Sequence, residues 1–230
     1  MNLRARVHRD EQMDDPSLDP ATYERVLADL ASVNSWTLAR LPTLGFLRRA
    51  TSGVPAFRLL DVGFGQGDML RAIARWARRR RIAVDLIGVD LNPNSAAVAR
   101  AATPTTWPIE YRTGDYRDVA GSLDFVISSA VTHHMTDPEI HHFLRFMEDR
   151  AERGWIVNDI HRGALAYYGF PLLARLMGWH RIVREDGRLS IARGFRRSDW
   201  RELIDRSGID PSAPRVVRRA LFRLCVERLR

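Results

Sequence analysis

Two groups of residues in this chain have side chains and spacings suited to chemistry. The first is Leu59-Leu60-Asp61-Val62-Gly63-Phe64-Gly65-Gln66-Gly67-Asp68, an apolar run closed by an acid and followed by glycine at every second position. Glycines this closely spaced after a strand let the backbone pass near a ligand with no Cβ in the way. A dinucleotide turn needs G-x-G-x-x-G, whereas here the interval is G-x-G-x-G and position 68 is an acid. A carboxylate beside the turn repels pyrophosphate but accepts hydrogen bonds from a cationic, amino-acid-like ligand. The second group is Val131-Thr132-His133-His134-Met135 together with Asn158-Asp159-Ile160-His161. Histidine titrates near neutrality and suits removal of a proton from an acidic hydroxyl. Either His133 or His134 fits that role, with Asp159 orienting the ring or stabilising its charge. His141 and His142 are assigned to the helix that follows.

These groups need a scaffold, and the chain from residue 56 supplies alternating strand-like and helix-like segments. Strands are predicted at Phe57 to Val62, Val84 to Asp90, Ile109 to Thr113, Leu123 to Ser129 and Trp155 to Ile160. Helices are predicted at Asp68 to Arg80, Ser95 to Ala101 and Pro138 to Arg153, then from an N-cap at Ser198 to Gly208. Arg215 to Arg219 and Leu221 to Glu227 read as two closing strands. Such alternation predicts an α/β fold with helices on both faces of a mostly parallel sheet and ligands at the carboxyl ends of its strands. Residues 1–50 read as an N-terminal helical cap opened by Asp19-Pro20-Ala21.

Composition bounds the function classes. The chain of 230 residues fits one substantial domain, 51–230, behind the cap. Its net charge is +8, and every basic residue is arginine, as a GC-rich genome produces. The arginine runs at 78–81 and 196–197 are short and dispersed, which reads as solvated surface and not as a nucleic-acid footprint. The single cysteine, Cys225, excludes an internal disulfide and a cysteine-based zinc site. No apolar run approaches bilayer length and the N-terminus lacks the apolar centre of a signal peptide, so the expectation is a soluble, cytoplasmic protein without stable membrane insertion.

The acid-led glycine turn resembles the first motif of class I S-adenosylmethionine-dependent methyltransferases. Later segments extend the likeness in the right order: Gly88-Val89-Asp90-Leu91, Thr113-Gly114-Asp115-Tyr116, and Leu123 to Ala130. The resemblance implies a Rossmann-like, doubly wound, seven-stranded sheet with an antiparallel last strand, and S-adenosyl-L-methionine as cofactor. Asp61, Gly63, Gly65 and Gly67 would hold the methionine end, Asp90 the ribose and Leu91 the adenine. Asp115, after Gly114, would accept from the adenine amino group with Tyr116 beside the ring, and Ser128 would end the strand that faces the sulfonium. Residues 161–197 exceed what that fold needs and read as a lid.

His133, His134 and Asp159 are similar to the histidine and aspartate of small-molecule O-methyltransferases in natural-product pathways. The run Asn158 to Arg162 followed by Ala166-Tyr167-Tyr168-Gly169, together with Met13-Asp14-Asp15-Pro16, resembles bacterial methyltransferases that accompany type III polyketide synthases. That likeness implies an aromatic or polyketide-like acceptor contacting His161, Tyr167 and Tyr168, methylated on a phenolic or quinol hydroxyl by a monomer or homodimer. Carbon methylation of a quinone-type ring is the alternative, because the same base activates the ortho carbon. A nucleic-acid methyltransferase lacks its Asn/Asp-Pro-Pro-aromatic segment here, and a non-catalytic cofactor-binding module would not need intact motifs. No metal is expected, since adjacent histidines chelate poorly from a helix.

Overall fold

The computed structural model describes residues 3–15 and 17–230, so Pro16 of the Met13 to Pro16 motif lies outside the described residues. After two helices, α1 (Pro20–Trp36) and α2 (Leu41–Ala50), the alternating segments become β1 (Ala56–Val62), α3 (Asp68–Arg80), β2 (Ala83–Asp90), α4 (Ser95–Ala101), β3 (Ile109–Thr113) and β4 (Leu123–Ser129). There follow α5 (Asp137–Arg150), β5 (Ala151–Ile160), α6 (Ala164–Leu176), α7 (Arg181–Arg193), α8 (Arg197–Ser207), β6 (Arg215–Arg219) and β7 (Arg223–Leu229). The seven strands lie in the order β3-β2-β1-β4-β5-β7-β6, and only β7 runs against the rest. This is the Rossmann-like methyltransferase fold. The order reverses between β1 and β4, and a crevice for ligands opens at such a switch point.

Alternate residues of each central strand face opposite layers, as the pleat requires. Leu60, Val126, Trp155 and Val157 pack against Phe143 and Leu144 of α5 and Trp200 of α8. Leu59, Phe125, Ile127 and Ile156 pack against Phe46 of α2 and Leu70 and Ile73 of α3. Residues 1–50 therefore divide between two places. α2 belongs to a layer of the main core, while α1 packs through Val26 on Trp179, in the turn before α7, and on Ile182 and Val183 of α7.

Several boundaries differ from the sequence reading, three of them for a visible physical reason. α5 stops at Arg150 because the chain passes straight into an extended Ala151 that pairs with Leu123, so residues 151–153 lengthen β5 instead of the helix. α8 begins one residue before Ser198, and the Asp199 carboxylate, not the Ser198 hydroxyl, takes the Arg196 N–H at 2.7 Å. Leu221 and Phe222 form the hairpin turn with φ of 53° and 64°, which moves the start of β7 to Arg223.

Residues 161–197 contain the α6–α7 pair. The N-terminal segment is stitched along α7: Val7 N–H donates to the Ala192 carbonyl, and Gln12 and Met13 N–H donate to the Asp186 carboxylate. Arg162, fully buried, donates to the Leu3 and Arg4 carbonyls. This stitching carries Glu11 and Asp14 to the carboxyl ends of β4 and β5.

Candidate active site

The carboxyl ends of β1, β2 and β4 open onto a cavity of about 1060 Å³, roofed by residues of the N-terminal segment, α1 and α6. Its first half is built by the glycine turn. Gly65 adopts φ of 53°, and a Cβ there would project toward open space with only Leu27 within 4 Å. Gly67 (φ 76°) does not line the cavity. A Cβ at Gly67 would strike the Tyr111 hydroxyl, so this glycine serves the seating of α3.

Asp61 closes β1 beneath the turn and lines the cavity, yet its side chain is buried and neither carboxylate oxygen has a hydrogen-bond partner among the described residues. Burial, reinforced by the charges of Asp68 and Asp90, pushes its carboxyl well above the ordinary carboxylate range. A buried carboxylate without a partner is costly, and the α-ammonium of a bound S-adenosylmethionine would supply such a complement. Asp90, at the end of β2, accepts from the Gly65 and Asn92 N–H groups at 2.9 Å each, so it shapes the turn while facing the cavity. Burial pushes its carboxyl up as well. An orphaned acid and an open glycine thus fit the amino-acid end of the cofactor.

Leu91, largely exposed, lines the cavity with Gly63, Gly114 and Tyr116, and the Tyr116 ring is wedged edge-on between Phe143 and Phe146. Two other sequence-predicted cofactor residues lie elsewhere. Asp115 is clamped by Arg117, whose Nε donates at 2.9 Å, and is not on the cavity wall. Ser128 points into the sheet and donates to the Val62 carbonyl at 3.1 Å, leaving the wall to Ser129 and Ala130.

The second half of the cavity holds the histidines, on a short 3-10 turn, Thr132–His134, after β4. His133 Nδ1 lies 2.7 Å from Asp159 Oδ1 at the end of β5, and both residues are buried. Burial alone would raise the Asp159 carboxyl. The charge of His133 and hydrogen bonds from His133, Thr132 and the Ile160 N–H outweigh it and hold the group well below the carboxylate range. An ionised Asp159 takes the Nδ1–H of His133 and so turns its Nε2 away from Asp159. His134 bonds instead to Asp14 at 2.9 Å, and its ring lies 4.3 Å from that of His133. Glu11 completes the group, with its two oxygens 3.7 Å and 3.8 Å from the Nε2 atoms of His133 and His134.

Glu11 was not visible as a site residue in the sequence, and Asp14 stood only within the Met13 to Pro16 motif. Neither has a local pattern that reports a contact across more than a hundred residues, such as the separation of 120 between Asp14 and His134. His161, Tyr167 and Tyr168 do not line the cavity. Tyr167 is buried beneath Arg188 and Tyr168 is exposed, whereas Leu165, Ala166, Phe170 and Leu173 of the same helix form the wall. That wall follows the spacing of one helical face.

Residues 59–154 match the family model described as a methyltransferase domain. No curated protein matches the chain in sequence. Among solved structures it is similar to magnesium protoporphyrin IX methyltransferase (ChlM) from Synechocystis PCC 6803 with bound SAH, at 17% identity over 91% of this chain and 86% of that one, with a TM-score of 0.53. The plantazolicin methyltransferase BpumL in complex with SAH is 13% identical over 85% of this chain and 73% of that one, with a TM-score of 0.61. The mitomycin 7-O-methyltransferase MmcR is 17% identical over 96% of this chain and 61% of that one, with a TM-score of 0.62. At such identities the likeness establishes the fold.

Proposed function

We propose that this chain is an S-adenosylmethionine-dependent methyltransferase that transfers the methyl group to a hydroxyl of a phenolic, quinol or polyketide-like small molecule. The observation that carries the reading is His133 on the cavity wall, joined at 2.7 Å to the buried Asp159 behind it. S-adenosylmethionine supplies an electrophilic methyl group when bound. The task left to the protein is to bring an oxygen nucleophile to it, remove that oxygen's proton and keep water out.

His133 performs the proton step in this reading. Its Nδ1–H is held by Asp159, so Nε2 accepts the hydroxyl proton and the imidazolium formed is stabilised by the same carboxylate. A positioned base of this kind contributes about 10²–10⁴-fold. The apolar wall of Leu165, Ala166, Phe170 and Leu173 favours a flat or greasy acceptor and excludes water around it. The natural-product substrates named for BpumL and MmcR agree with that class. The lid reading of α6 and α7 follows from their place over this wall.

The basic surface gives no support to a nucleic-acid acceptor. Arg75 and Arg78 lie over the Trp107 ring and Arg80 over Trp76, so part of the run ending α3 is spent on local cation–π contacts.

The test is a panel of phenols, hydroquinones and polyketide-derived aromatics incubated with S-adenosylmethionine, with S-adenosylhomocysteine release as readout and the methyl position assigned by NMR. An O-methyl product whose formation collapses in His133→Ala supports the reading. A C-methyl product moves the acceptor atom to the ring carbon, and full turnover in both His133→Ala and His134→Ala overturns the base.

A further inference from the structure

We propose that Glu11, His133 and His134 form a binding site for one divalent transition-metal ion of the zinc and cobalt class, opening onto the acceptor half of the cavity. This inference goes beyond the acceptor reading and stands on geometry alone. One ligand atom from each of Glu11, His133 and His134 lies within 4.8 Å of the other two, with Glu11 and His133 buried. Ligand atoms about 2.0–2.2 Å from a tetrahedral zinc ion stand roughly 3.4 Å apart. The two Glu11 oxygens stand 3.7 Å and 3.8 Å from Nε2 of His133 and His134 respectively, one oxygen to each ring, so the set closes on an ion by small side-chain rotations.

The surroundings of each ligand point the same way. A histidine that binds metal through one nitrogen almost always gives its other nitrogen to a carboxylate, carbonyl or water, which fixes the tautomer and raises basicity. Both imidazoles have that arrangement, His133 through Nδ1 to Asp159 at 2.7 Å and His134 through Nδ1 to Asp14 at 2.9 Å. Glu11 is itself held by the Ser190 hydroxyl, which donates at 2.8 Å. The Glu11, Asp14 and Asp159 carboxylates gather here with the Arg193 guanidinium, whose Nε donates to the His133 carbonyl, while Arg6 and Arg223 act on Asp159.

The objection that adjacent histidines chelate poorly applies to a helix. The 3-10 turn instead sets the rings 45° apart with their Nε2 atoms toward one carboxylate. The set of two histidines and one carboxylate leaves a fourth position open to the cavity, and imidazole donors suit zinc, copper, iron and nickel ions. Ligation consumes the His133 lone pair, so metal occupancy and proton capture by His133 exclude each other.

The experiment uses the 230-residue chain treated with a chelator, dialysed, and titrated with Zn²⁺ by calorimetry and with Co²⁺ by visible absorption. One ion per chain is expected, with a Co²⁺ spectrum of low coordination number. Glu11→Gln and His134→Ala should each weaken Zn²⁺ binding at least tenfold, and Asp14→Asn, which removes an outer partner, by about tenfold. Circular dichroism and unchanged cofactor affinity establish that each variant is folded, and Glu11→Asp serves if Glu11→Gln is not. The absence of saturable binding, or Zn²⁺ affinity unchanged in both Glu11→Gln and His134→Ala, overturns the site.

Turnover then separates this inference from the base reading. Zn²⁺ inhibition reversed by chelator supports the site and keeps His133 as base. Activity lost on chelation and restored by Zn²⁺ also supports the site, but overturns His133 as base.

Discussion

His133 and Asp159, 26 residues apart on the ends of neighbouring strands, share a buried hydrogen bond of 2.7 Å through Nδ1. The Asp159 carboxylate also takes the His133 and Ile160 backbone N–H groups at 3.1 Å and 2.7 Å, so one acid sets both the ring and the turn that carries it.

Replacing that acid should therefore act on rate more than on binding. Asp159→Asn is expected to lower kcat by about 10² or more with cofactor affinity little changed, because the amide cannot stabilise an imidazolium. Steady-state kinetics beside a calorimetric cofactor titration reads both, and a kcat within a few-fold of wild type would sink the pairing.

Asp61 predicts effects of opposite sign on stability and affinity. Its carboxyl is raised by burial, so the folded protein holds a proton that the unfolded chain releases as pH climbs above 3.8. The stability the acid contributes thus falls as pH rises through its folded value. Asp61→Asn should leave Tm at neutral pH unchanged or higher, while weakening S-adenosylmethionine by about tenfold to a hundredfold, the range of a charged hydrogen bond. A lowered Tm with intact affinity contradicts the assignment.

The glycine turn divides into two kinds of position. Gly67→Ala drives a Cβ onto the Tyr111 hydroxyl at φ of 76°, and should cost about 1–3 kcal/mol of stability. Gly65→Ala places its Cβ in the cavity and should cost less stability but more cofactor affinity. Thermal melts and cofactor titrations of the pair check this; equal profiles would refute it.

The N-terminal segment should loosen with rising pH. Burial opposes protonation of His134, yet its bond to Asp14 and the charges of Glu11 and Asp14 hold it above 6.5. Stability from a raised histidine is full below its unfolded value and is lost as pH rises through the folded one. In chelator-treated protein, proteolysis of residues 3–15 should accelerate across the upper part of the range between about pH 5 and 8. The His134→Gln variant should be fast throughout, and a pH-independent wild type would refute the latch.

Much of this molecule was legible because its signals are local. The strand, acid, glycine turn and amphipathic helix from Leu59 to Arg80 are fixed by neighbours in sequence, and β3 and β4 begin and end at the residues their sequence predicts. Tyr167 and Tyr168 mark the limit. Composition singles out their aromatic helix, but its phase is set by packing on α7, where the Phe170 ring meets Gly187 and turns Phe170 and Leu173 to the cavity. Likewise Asp115 and Ser128 sit where strand ends place them, but Arg117 and the Val62 carbonyl take their side chains.

The sequence by itself determined the alternation of strands and helices, the acid-led turn and the His133–His134 segment, since each depends on periodicity and on residue types within a few positions. Tertiary structure alone decided that Asp61 has no partner, that Asp159 reaches His133 rather than His134, and that Glu11 arrives between the two rings. Those outcomes depend on sheet order and on the stitching of the N-terminal segment along α7. They are sums of many weak contacts between distant parts of the chain, and no single stretch of residues encodes them.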